Sequence, residues 1–435
     1  MIAIVGAGIS GLSLAYFLQK QNVPYLLLEK KENEHSPGGF IQSIREKEYL
    51  YELGPNSLLC DDFLLQWLNE LELQTEIIEA NPVSKSRFVF KNGRYQKLPQ
   101  SPFSLFWSVF FSWEAKKQIF REPKIKSKTH PNETLTEFFE RRFGREVVDY
   151  ALEPFVSGIY AGNPDELLLK YTFPFLAELE QKFGSVIKGL KKTKSLGRKK
   201  SISFKNGMQT LPKKLAEKVK ITYCQDGVQS IFRKSQSWEI ITAEKNFQAE
   251  KVVITTPAYI AGDILQKIDF SLSETLQKIG YAPMVVVHTI YYKNLFRKPL
   301  NGFGALHPHK EKLFTLGHIW SSSVFEGRCK DNEVLFTSFV GGMKGIEKTF
   351  LDDNTLMSKV QKEIREIYKI DSLPVLQRVT RWQKAIPQYD KFILPAYERL
   401  QSLEQEGLYV CANWKDGVSV ADCIKKAYNL AQKFK

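Results

Sequence analysis

Three glycines near the start of the chain have the spacing of a phosphate-binding turn. Gly6, Gly8 and Gly11 fit the pattern G-x-G-x-x-G and follow an apolar run at residues 2–5, which is typical of a buried parallel strand. The first glycine permits a tight turn, the second lets the backbone approach a pyrophosphate, and the third lets the next helix pack close to the strand. The positive N-terminal end of that helix would face the phosphates.

A second strand and an acidic residue complete this pattern. Residues 25–28 are again apolar, and Glu29 stands at their end, where a carboxylate can accept hydrogen bonds from ribose hydroxyls. Strand, helix, strand and acid together favour a dinucleotide-binding βαβ unit. The alternative is a glycine turn in an ordinary α/β unit.

Two further loops with little side-chain bulk favour FAD over NAD as the dinucleotide. They are Gly38-Gly39 and Gly54-Pro55-Asn56-Ser57. A flavin extends far across its domain and needs backbone contact along its length. Near the C-terminus, a helix beginning after Gly417-Val418-Ser419 would direct its N-terminus at a negatively charged flavin edge.

Length and charge limit the class of protein. A chain of 435 residues predicts two domains, or three lobes. Its 62 basic and 48 acidic residues give a net charge of +14, which favours nucleic acid, an acidic membrane surface or a carboxylate-rich substrate as partner. No nucleic-acid-binding motif is recognisable, so nucleic acid is not expected. The aromatic content suits a site for a large flat ligand or, equally, a bulky core.

Cysteine and histidine show no pattern of metal or disulfide sites. The five cysteines are scattered and contain no C-x-x-C, which predicts a reducing compartment, no disulfides and no zinc site. His307 and His309 flank Pro308, which is more typical of a loop than of a metal pair. No Ser-His-Asp or paired-carboxylate site is evident.

Membrane contact is predicted at the surface only. No signal peptide is recognisable, and no stretch reaches the roughly 18 to 20 apolar residues that span a bilayer. Residues 103–113 are rich in aromatic side chains and suit an interfacial segment. The lysine-rich residues 188–200 predict a mobile solvated loop, with contact to a membrane surface as the alternative.

Local patterns predict several further elements. Asn92-Gly93 is a strong turn signal inside a hairpin at 84–99. Residues 134–148 and 354–369 are amphipathic and predict helices, whereas 153–164 predicts a loop with two glycines among apolar residues.

These motifs resemble those of one family, the FAD-dependent protoporphyrinogen/coproporphyrinogen oxidases of the amine oxidase superfamily. The first motif is shared by the whole superfamily, but the stretches around Gly158 and Gln388-Tyr389 are much more specific. The resemblance runs along the whole chain in the family's order, at residues 5–12, 52–57, 153–162, 204–211, 302–304, 382–389 and 417–424.

The resemblance implies an α/β fold with a split, Rossmann-like FAD-binding domain. It also implies a mixed β-sheet substrate domain and a helical membrane-facing lobe. The implied division is FAD-binding segments at 1–85, 203–265 and 370–435, the helical lobe at 86–202, and the substrate domain at 266–369.

The resemblance also implies the reaction. Protoporphyrinogen IX would lose six electrons to become porphyrin, two at a time as hydride to a non-covalently bound FAD, which O2 reoxidises with release of hydrogen peroxide. The alternatives are coproporphyrinogen III oxidation, another flavin amine oxidase or carotenoid desaturase, and a non-catalytic flavoprotein scaffold. The implied setting is cytoplasmic, peripheral on the inner face of an anionic cell membrane, with ferrochelatase and a second copy of the chain as partners.

Particular residues match the family's functional positions. Arg87 resembles the propionate-binding arginine, and Gly158 the catalytic residue whose carbonyl faces the pyrrole N–H groups. Leu306, Ile319 and Phe339 resemble the residues that sandwich the ring. The alternative for Arg87 is a surface cation, and the alternative for Gly158 is a turn glycine. The alternative for the three ring-sandwiching residues is plain core. The cofactor-binding positions implied are Gly6, Ala7, Gly8, Ile9, Ser10, Gly11, Glu29, Lys30, Gly38, Gly39, Gly54, Pro55, Asn56, Ser57, Val228, Asn413, Val418, Ser419 and Val420.

Two positions depart from the family's pattern. Ser36 stands where an arginine is common before the Gly-Gly pair, and Ala412 stands where a glycine is common before the C-terminal flavin loop. Neither change removes the phosphate turn, so both bear on the affinity for the cofactor rather than on its identity.

Overall fold

Two large β-sheets carry most of the strands in the computed structural model, which describes residues 1–33, 37–99, 101–193 and 199–435. The fold is α/β with mixed sheets. In chain order the strands are β1 Ile2–Val5, β2 Tyr25–Lys30, β3 Ser43–Glu46, β4 Tyr49–Glu52, β5 Leu58–Cys60, β6 Ile77–Glu79, β7 Arg87–Lys91, β8 Arg94–Lys97, β9 Lys200–Phe204, β10 Ile221–Cys224, β11 Val228–Lys234, β12 Ser237–Thr242, β13 Asn246–Ala249, β14 Lys251–Ile254, β15 Tyr281–Tyr292, β16 Gly304–Leu306, β17 Gly317–Trp320, β18 Glu333–Gly341, β19 Leu376–Pro387 and β20 Leu408–Val410.

Helices cover both faces of the first sheet and make up most of the segment between β8 and β9. In chain order they are α1 Ile9–Lys20, α2 Asp62–Glu70, α3 Pro102–Trp107, α4 Trp113–Arg121, α5 Leu135–Phe143, α6 Arg145–Val147, α7 Glu153–Tyr160, α8 Leu169–Thr172, α9 Pro174–Phe183, α10 Val186–Lys192, α11 Thr210–Lys218, α12 Ala258–Leu265, α13 Phe270–Lys278, α14 Ser321–Val324, α15 Asp353–Tyr368, α16 Ile393–Gln405 and α17 Val420–Lys433.

The first large sheet has five parallel strands in the order β10-β2-β1-β14-β20. All four residues of β1 are buried, as its continuous apolar sequence predicts. Ile4 packs with α1 and α17 on one face, and Val5 packs with α12 and α16 on the other. Because the strands are parallel, their carboxyl ends share one edge, where ligands of such sheets bind.

The second large sheet has seven strands in the order β19-β15-β18-β17-β16-β7-β8. Its pairings are antiparallel except that of β16 with β7. The hairpin of β7 and β8 lies within the range assigned from sequence to the helical lobe, and β19 within the third FAD-binding range. Both pair into this sheet. The division of the chain into domains stays a prediction.

Three smaller sheets complete the strand pairings of the described residues. They are the three-stranded sheet β11-β12-β13, the pair β3-β4, and the three-stranded sheet β5-β9-β6. The last joins two segments that lie far apart in sequence, since β9 pairs with both β5 and β6.

The helices between β8 and β9 pack around buried charges. Arg142 is 1 % exposed, and its guanidinium lies 3.1 Å from the Glu122 carboxylate and also contacts Glu180. Arg141 reaches Glu180 at 2.6 Å and forms an ion pair with Glu133. Buried charges cost free energy unless they are paired and hydrogen-bonded, and this network of two arginines and three glutamates meets that condition.

Some predicted elements are confirmed. β7 and β8 form the hairpin, and Asn92 and Gly93 have φ angles of 55° and 76°, as a type I′ turn requires. The helix predicted at 354–369 is α15.

Other predicted elements are wrong. Residues 153–164 begin with helix α7 rather than a loop, since Pro154 sits in the first turn, where a helix tolerates proline. The helix predicted at 134–148 is interrupted after Phe143, because Gly144 has a φ of +86°.

The lysine-rich segment is only partly described. Lys188, Lys191 and Lys192 lie on helix α10, so this part is not the predicted loop. Residues 194–198 and Ser36 lie outside the described residues. Within the described ranges, no helix is long and apolar enough to cross a membrane.

Candidate active site

The glycine turn between β1 and α1 has a geometry that only glycine allows. Gly6 has a φ of +106°, and a Cβ at Gly11 would lie 1.9 Å from the carbonyl oxygen of Gly6. A Cβ at Gly8 would meet no atom within 4 Å, so the backbone there borders open space. Gly8 also caps α1 without a side-chain hydrogen bond from the described residues, which leaves the first N–H groups of the helix for a ligand.

Glu29 lies against this turn at the carboxyl end of β2. Its carboxylate accepts hydrogen bonds from the backbone N–H groups of Ala7 and Lys30 and from the side-chain amide of Asn33, the last two at 2.8 Å. A Cβ at Gly227 would lie 3.6 Å from the Cβ of Lys30. The predicted cofactor residue Val228, which follows Gly227, is therefore at the same edge of the sheet.

Two further glycine loops continue from the turn. The second loop contains Gly38-Gly39, and the third loop is Gly54-Pro55-Asn56-Ser57. Gly38 forms an isolated parallel bridge with Gly8. A Cβ at Gly54 would lie 2.0 Å from the carbonyl oxygen of Phe40, so these two loops are in direct backbone contact. Asn56 donates a hydrogen bond to the Gly54 carbonyl at 3.2 Å, which stabilises the third loop.

The buried Glu52, which precedes the third loop, anchors it. Its carboxylate accepts hydrogen bonds from the Met208 N–H at 3.0 Å and the Ser43 hydroxyl at 2.5 Å, and it lies 3.7 Å from the Arg328 guanidinium. Burial raises the pKa of Glu52, although Arg328 and these hydrogen bonds oppose the rise. This anchoring role was not predicted, because Met208 and Arg328 lie far from Glu52 in the sequence.

The third loop also touches the seven-stranded sheet. Trp382 of β19 donates a hydrogen bond from its indole N–H to the Leu53 carbonyl at 2.7 Å. A small cavity is lined by Asn56 from the loop and by Phe303 and Ile319 from the sheet. The predicted dinucleotide residues and the predicted substrate residues therefore meet at this point.

Helix α17 begins beside the phosphate turn. The Ser419 hydroxyl accepts a hydrogen bond from the Asp422 N–H at 3.1 Å, and the Asp422 carboxylate accepts one from the Ser419 N–H at 3.2 Å. This capping box fixes the start of the helix. Val420, the first residue of α17, is buried in the same apolar cluster as Ala7 and Leu12.

Two adjacent residues join the loop before α17 to helix α7. The Tyr389 hydroxyl donates to the Asn413 carbonyl at 2.8 Å and accepts from the Gly417 N–H at 2.9 Å. Gln388 donates to the carbonyl of Tyr160, the last residue of α7, at 2.8 Å. The conformation of the C-terminal loop is therefore tied to the position of α7.

Strand register places all four residues predicted to bind substrate on one face of the seven-stranded sheet. Gly304 is opposite both Arg87 and Ile319, and Gly317 is opposite both Leu306 and Phe339. Directly opposed residues project from the same face, as do residues two apart on one strand. Gly304 and Gly317 have no side chain, and a Cβ there would lie 2.0 Å and 2.4 Å from a carbonyl oxygen of the neighbouring strand. The four residues are Arg87, Leu306, Ile319 and Phe339.

Helix α7 faces this surface through Gly158. A Cβ at Gly158 would lie 2.9 Å from Cδ2 of Leu306. Phe155 and Ile159 share the helix face of Gly158 and remain 46 % and 39 % exposed. Sequence reasoning missed these two residues because it assigned them to a loop. Their spacing of i, i+3 and i+4 with Gly158 was the available signal.

The carbonyl of Gly158 is available as an acceptor. Helix α7 ends at Tyr160, and the last four carbonyls of a helix have no partner within it. Among the described residues, no hydrogen bond to the Gly158 carbonyl is formed. Its neighbour Ser157 accepts from the Ala161 N–H at 3.0 Å.

Arg87 is a cation without an ion pair among the described residues. Its guanidinium lies over the ring of Phe303, 4.5 Å from the centroid. The side chain is open to solvent, and desolvation by the neighbouring protein lowers the pKa of Arg87. Leu306, Ile319 and Phe339 are partly buried, and Leu306 and Phe339 also pack against buried apolar clusters. Their role in binding a substrate stays a prediction.

Comparison with known families agrees with this geometry. The sequence profile of flavin-containing amine oxidoreductases matches residues 9–433, so the chain belongs to that family and is an FAD-dependent oxidase. The cradle at Gly6, Gly8 and Gly11 and the capped start of α17 fit its FAD cofactor.

Individual relatives are similar along their whole length. Protoporphyrinogen oxidase 2 of Arabidopsis thaliana is 30% identical, with 97% of this chain and 91% of the relative covered. Coproporphyrinogen III oxidase of Bacillus subtilis (strain 168) is 27% identical, with coverage of 97% and 95%. A crystal structure from Exiguobacterium sp. 255-15, assigned provisionally as a protoporphyrinogen oxidase, superposes with a TM-score of 0.81 at 21% identity, covering 100% of this chain and 98% of that one.

Proposed function

We propose that the chain is a porphyrinogen oxidase that converts protoporphyrinogen IX to protoporphyrin IX, with FAD as cofactor and O2 as acceptor. The observation that carries this proposal is the register of β7, β16, β17 and β18. It gathers three apolar side chains and one cation, which forms no ion pair with any described residue, on a single sheet face opposite Gly158. The names of the curated relatives support the same substrate class.

The sheet face suits a flat macrocycle with acidic substituents. Leu306, Ile319 and Phe339 offer apolar contact, and Gly304 and Gly317 leave flat backbone between them. Arg87 would hold a propionate through the two-pronged hydrogen bonding that guanidinium offers to a carboxylate. Phe155 and Ile159 of α7 would cover the opposite side of the ring.

The residues of the chain would act by positioning and by exclusion of water. The Gly158 carbonyl would accept hydrogen bonds from pyrrole N–H groups and orient the ring carbon that reacts. Tyr389 and Gln388 would keep the C-terminal loop and α7 in fixed relation. Bound FAD accepts two electrons per turnover, so three turnovers with three O2 and release of three H2O2 balance the six-electron oxidation.

Turnover with matched substrates tests this function. The purified holoprotein should form fluorescent porphyrin from protoporphyrinogen IX, release about three peroxides per porphyrin, and act faster on it than on coproporphyrinogen III. Faster turnover of coproporphyrinogen III would transfer the assignment to that substrate. Flavin reduction by amines but by neither porphyrinogen would overturn the proposal.

We infer in addition that the helical segment from α3 to α10 faces a membrane. Aromatic and apolar side chains of α3 and of the loop between α3 and α4 are exposed, with Phe103 at 76 %, Trp107 at 70 % and Val109 at 83 %. Exposed Lys117 and Arg121 supply positive charge on α4. This combination supports peripheral attachment to the inner, anionic face of the cell membrane in the cytoplasm. A ferrochelatase and a second copy of the chain remain proposed partners.

A further inference from the structure

We propose that a divalent transition-metal ion, Zn2+ by its donor set, binds between His307, His318 and Glu363. This histidine–glutamate cluster is fully enclosed, since the three residues are 2 %, 2 % and 5 % exposed. One ligand atom from each lies within 4.8 Å of the others. The site does not depend on the proposed porphyrinogen activity.

The spacing of the ligand atoms suits a tetrahedral ion. Nδ1 of His307 and Nε2 of His318 each lie 3.6 Å from Oε1 of Glu363, beyond hydrogen-bond distance. Bonds of about 2.0–2.1 Å at a tetrahedral angle separate two ligand atoms by about 3.3 Å. These two separations are therefore close to those of a filled site, and the third, between the two imidazole nitrogens, is at most 4.8 Å. Side-chain movements that bring the imidazoles together would complete the site.

An unpartnered nitrogen points to a ligand at this position. Nε2 of His318 has no hydrogen-bond partner among the described residues, although the side chain is buried. A buried polar atom without a partner costs free energy, and such atoms are uncommon in folded proteins. A metal ion shared with Glu363 would satisfy this nitrogen.

In each imidazole, the outer nitrogen, which is the one that does not face Glu363, already contacts a hydroxyl group. Nδ1 of His318 lies 2.8 Å from Oγ of Ser338, and Nε2 of His307 lies 2.9 Å from the hydroxyl oxygen of Tyr95. If each outer N–H donates to its hydroxyl, Nε2 of His318 keeps its lone pair free for the cluster centre. Nδ1 of His307 lies 3.2 Å from the Thr315 carbonyl oxygen, which only accepts, so binding of the ion would require the His307 proton to move to Nε2, beside the Tyr95 hydroxyl. Histidine ligands of metals commonly donate their other N–H in this way, which fixes the tautomer.

The carboxylate is held in place as firmly as the imidazoles. Glu363, on α15, accepts hydrogen bonds from the backbone N–H groups of Phe314 and Thr315, the latter at 3.3 Å, and from the Thr315 hydroxyl at 2.6 Å. That hydroxyl also lies 2.9 Å from Nδ1 of His307. A metal ion would take over this contact and leave the Thr315 hydroxyl to Glu363.

The donor set selects the class of metal. Two imidazole nitrogens and one carboxylate oxygen suit Zn2+, whereas Mg2+ and Ca2+ prefer all-oxygen sites. The cluster occupies the sheet face opposite the one that bears Leu306 and Ile319, because His318 and Ile319 are neighbours on β17. The ion would therefore join α15 to the β16–β17 hairpin behind the proposed substrate surface.

Metal analysis of the holoprotein tests the proposal. The full chain, produced in zinc-supplemented medium and purified without a histidine tag, should contain about one Zn2+ per chain. The variants Glu363→Gln and His318→Gln should retain less than about a tenth of it, because each removes one of three ligands. His130→Gln, which changes an exposed histidine elsewhere, should retain the full content.

A second measurement on the unaltered chain decides the case if the variants do not fold. Co2+ added to the chelator-treated protein should produce the intense visible bands of tetrahedral coordination. Zn2+, but not Mg2+, should raise the Tm. A metal-free protein that shows neither the bands nor the Tm shift would overturn the proposal. Equal zinc content in the ligand variants and the unaltered chain would also overturn it.

Discussion

Arg87 is the residue whose surroundings best match a role in recognising acidic substrates. It is open to solvent, carries no ion pair within the described part of the chain, and lies beside three apolar side chains on the same sheet face. The two buried arginines of the described chain, Arg142 and Arg328, are paired with carboxylates. A guanidinium that has no ion pair among the described residues is therefore available to a ligand carboxylate.

The variant Arg87→Ala should raise the KM for porphyrinogen about 10- to 100-fold, because a hydrogen bond to a charged group contributes about 1.5–3 kcal/mol. Steady-state assays of porphyrin fluorescence measure this change. Arg94→Ala is the matched control, since Arg94 is an exposed arginine on the neighbouring strand of the same hairpin. An unchanged KM for Arg87→Ala, or an equal rise for Arg94→Ala, would contradict the assignment.

Single residues were predictable from the sequence only where a motif carries them. The family resemblance proposed Arg87, Leu306, Ile319 and Phe339 as substrate residues, a role that stays a prediction. That they share one face depends on strand register, which the sequence alone does not show. His318 and Glu363 belong to no motif and come from β17 and α15, so no spacing along the chain could reveal that they meet.

Among the structural elements, the glycine turn offers the sharpest test of cofactor binding. Gly8→Ala should fold normally, because the added Cβ meets no protein atom within 4 Å. The same Cβ would enter the space that a pyrophosphate needs for close backbone contact, so the variant should lose bound FAD. Flavin absorbance per chain and Tm, measured together, separate the two effects. A stable variant with full flavin content would be inconsistent with this role of the turn.

The buried ion network of the helical segment predicts a pH dependence of stability. Burial disfavours the charge on Glu180, but hydrogen bonds from Arg141, Thr129 and Arg142 outweigh it and lower the pKa of Glu180 from 4.5 to about 2. Because the pKa is lower in the folded chain, the stabilisation is complete above about pH 4.5 and is lost as the pH falls towards 2.

The variant Glu180→Gln should therefore have a lower Tm than the unaltered chain at neutral pH. The difference should shrink as the pH falls from about 5 towards 3, because the unaltered chain loses the contribution in this range. Thermal unfolding followed by circular dichroism measures both. Glu178→Gln, an exposed change on the same helix, serves as control. A Tm difference that stays constant with pH would refute the mechanism.

The sequence predicted elements well where the signal was local. The βαβ unit and the Asn92-Gly93 hairpin were correct, because apolar runs and turn residues act over a few positions. Helix α7 was missed because Gly158 and Pro154 were interpreted as loop residues, whereas proline is tolerated in a first helical turn. The break at Gly144 needed its positive φ, which sequence does not give.

On the scale of the whole molecule, the exposed aromatic patch of α3 and α4 predicts attachment to membranes. The double variant Phe103→Ser/Trp107→Ser should lose most co-sedimentation with anionic vesicles, because it removes two large apolar side chains exposed to solvent. Phe350→Ser is the matched control, since Phe350 is 82 % exposed but lies between β18 and α15. Equal loss in the control, or no loss in the double variant, would argue against the patch.

The arrangement of the two large sheets could not be worked out from local patterns. Strands β7 and β8 were assigned to a helical segment, yet β7 pairs with β16, more than two hundred residues later. Such pairing depends on burial of apolar faces by distant segments, which periodicity along the chain does not record. The βαβ pattern at the start of the chain and the family resemblance pointed to the correct α/β class.

The position of β1 within its sheet has a consequence for how the protein is made. β1 lies between β2 and β14, and β14 in turn pairs with β20 near residue 410. On the ribosome, the chain emerges from its N-terminus, so this apolar strand appears long before its later neighbours are translated. In a nascent chain, the first glycine turn would lie in a sheet that still lacks β14 and β20. Binding of the dinucleotide would therefore be among the last events of biosynthesis.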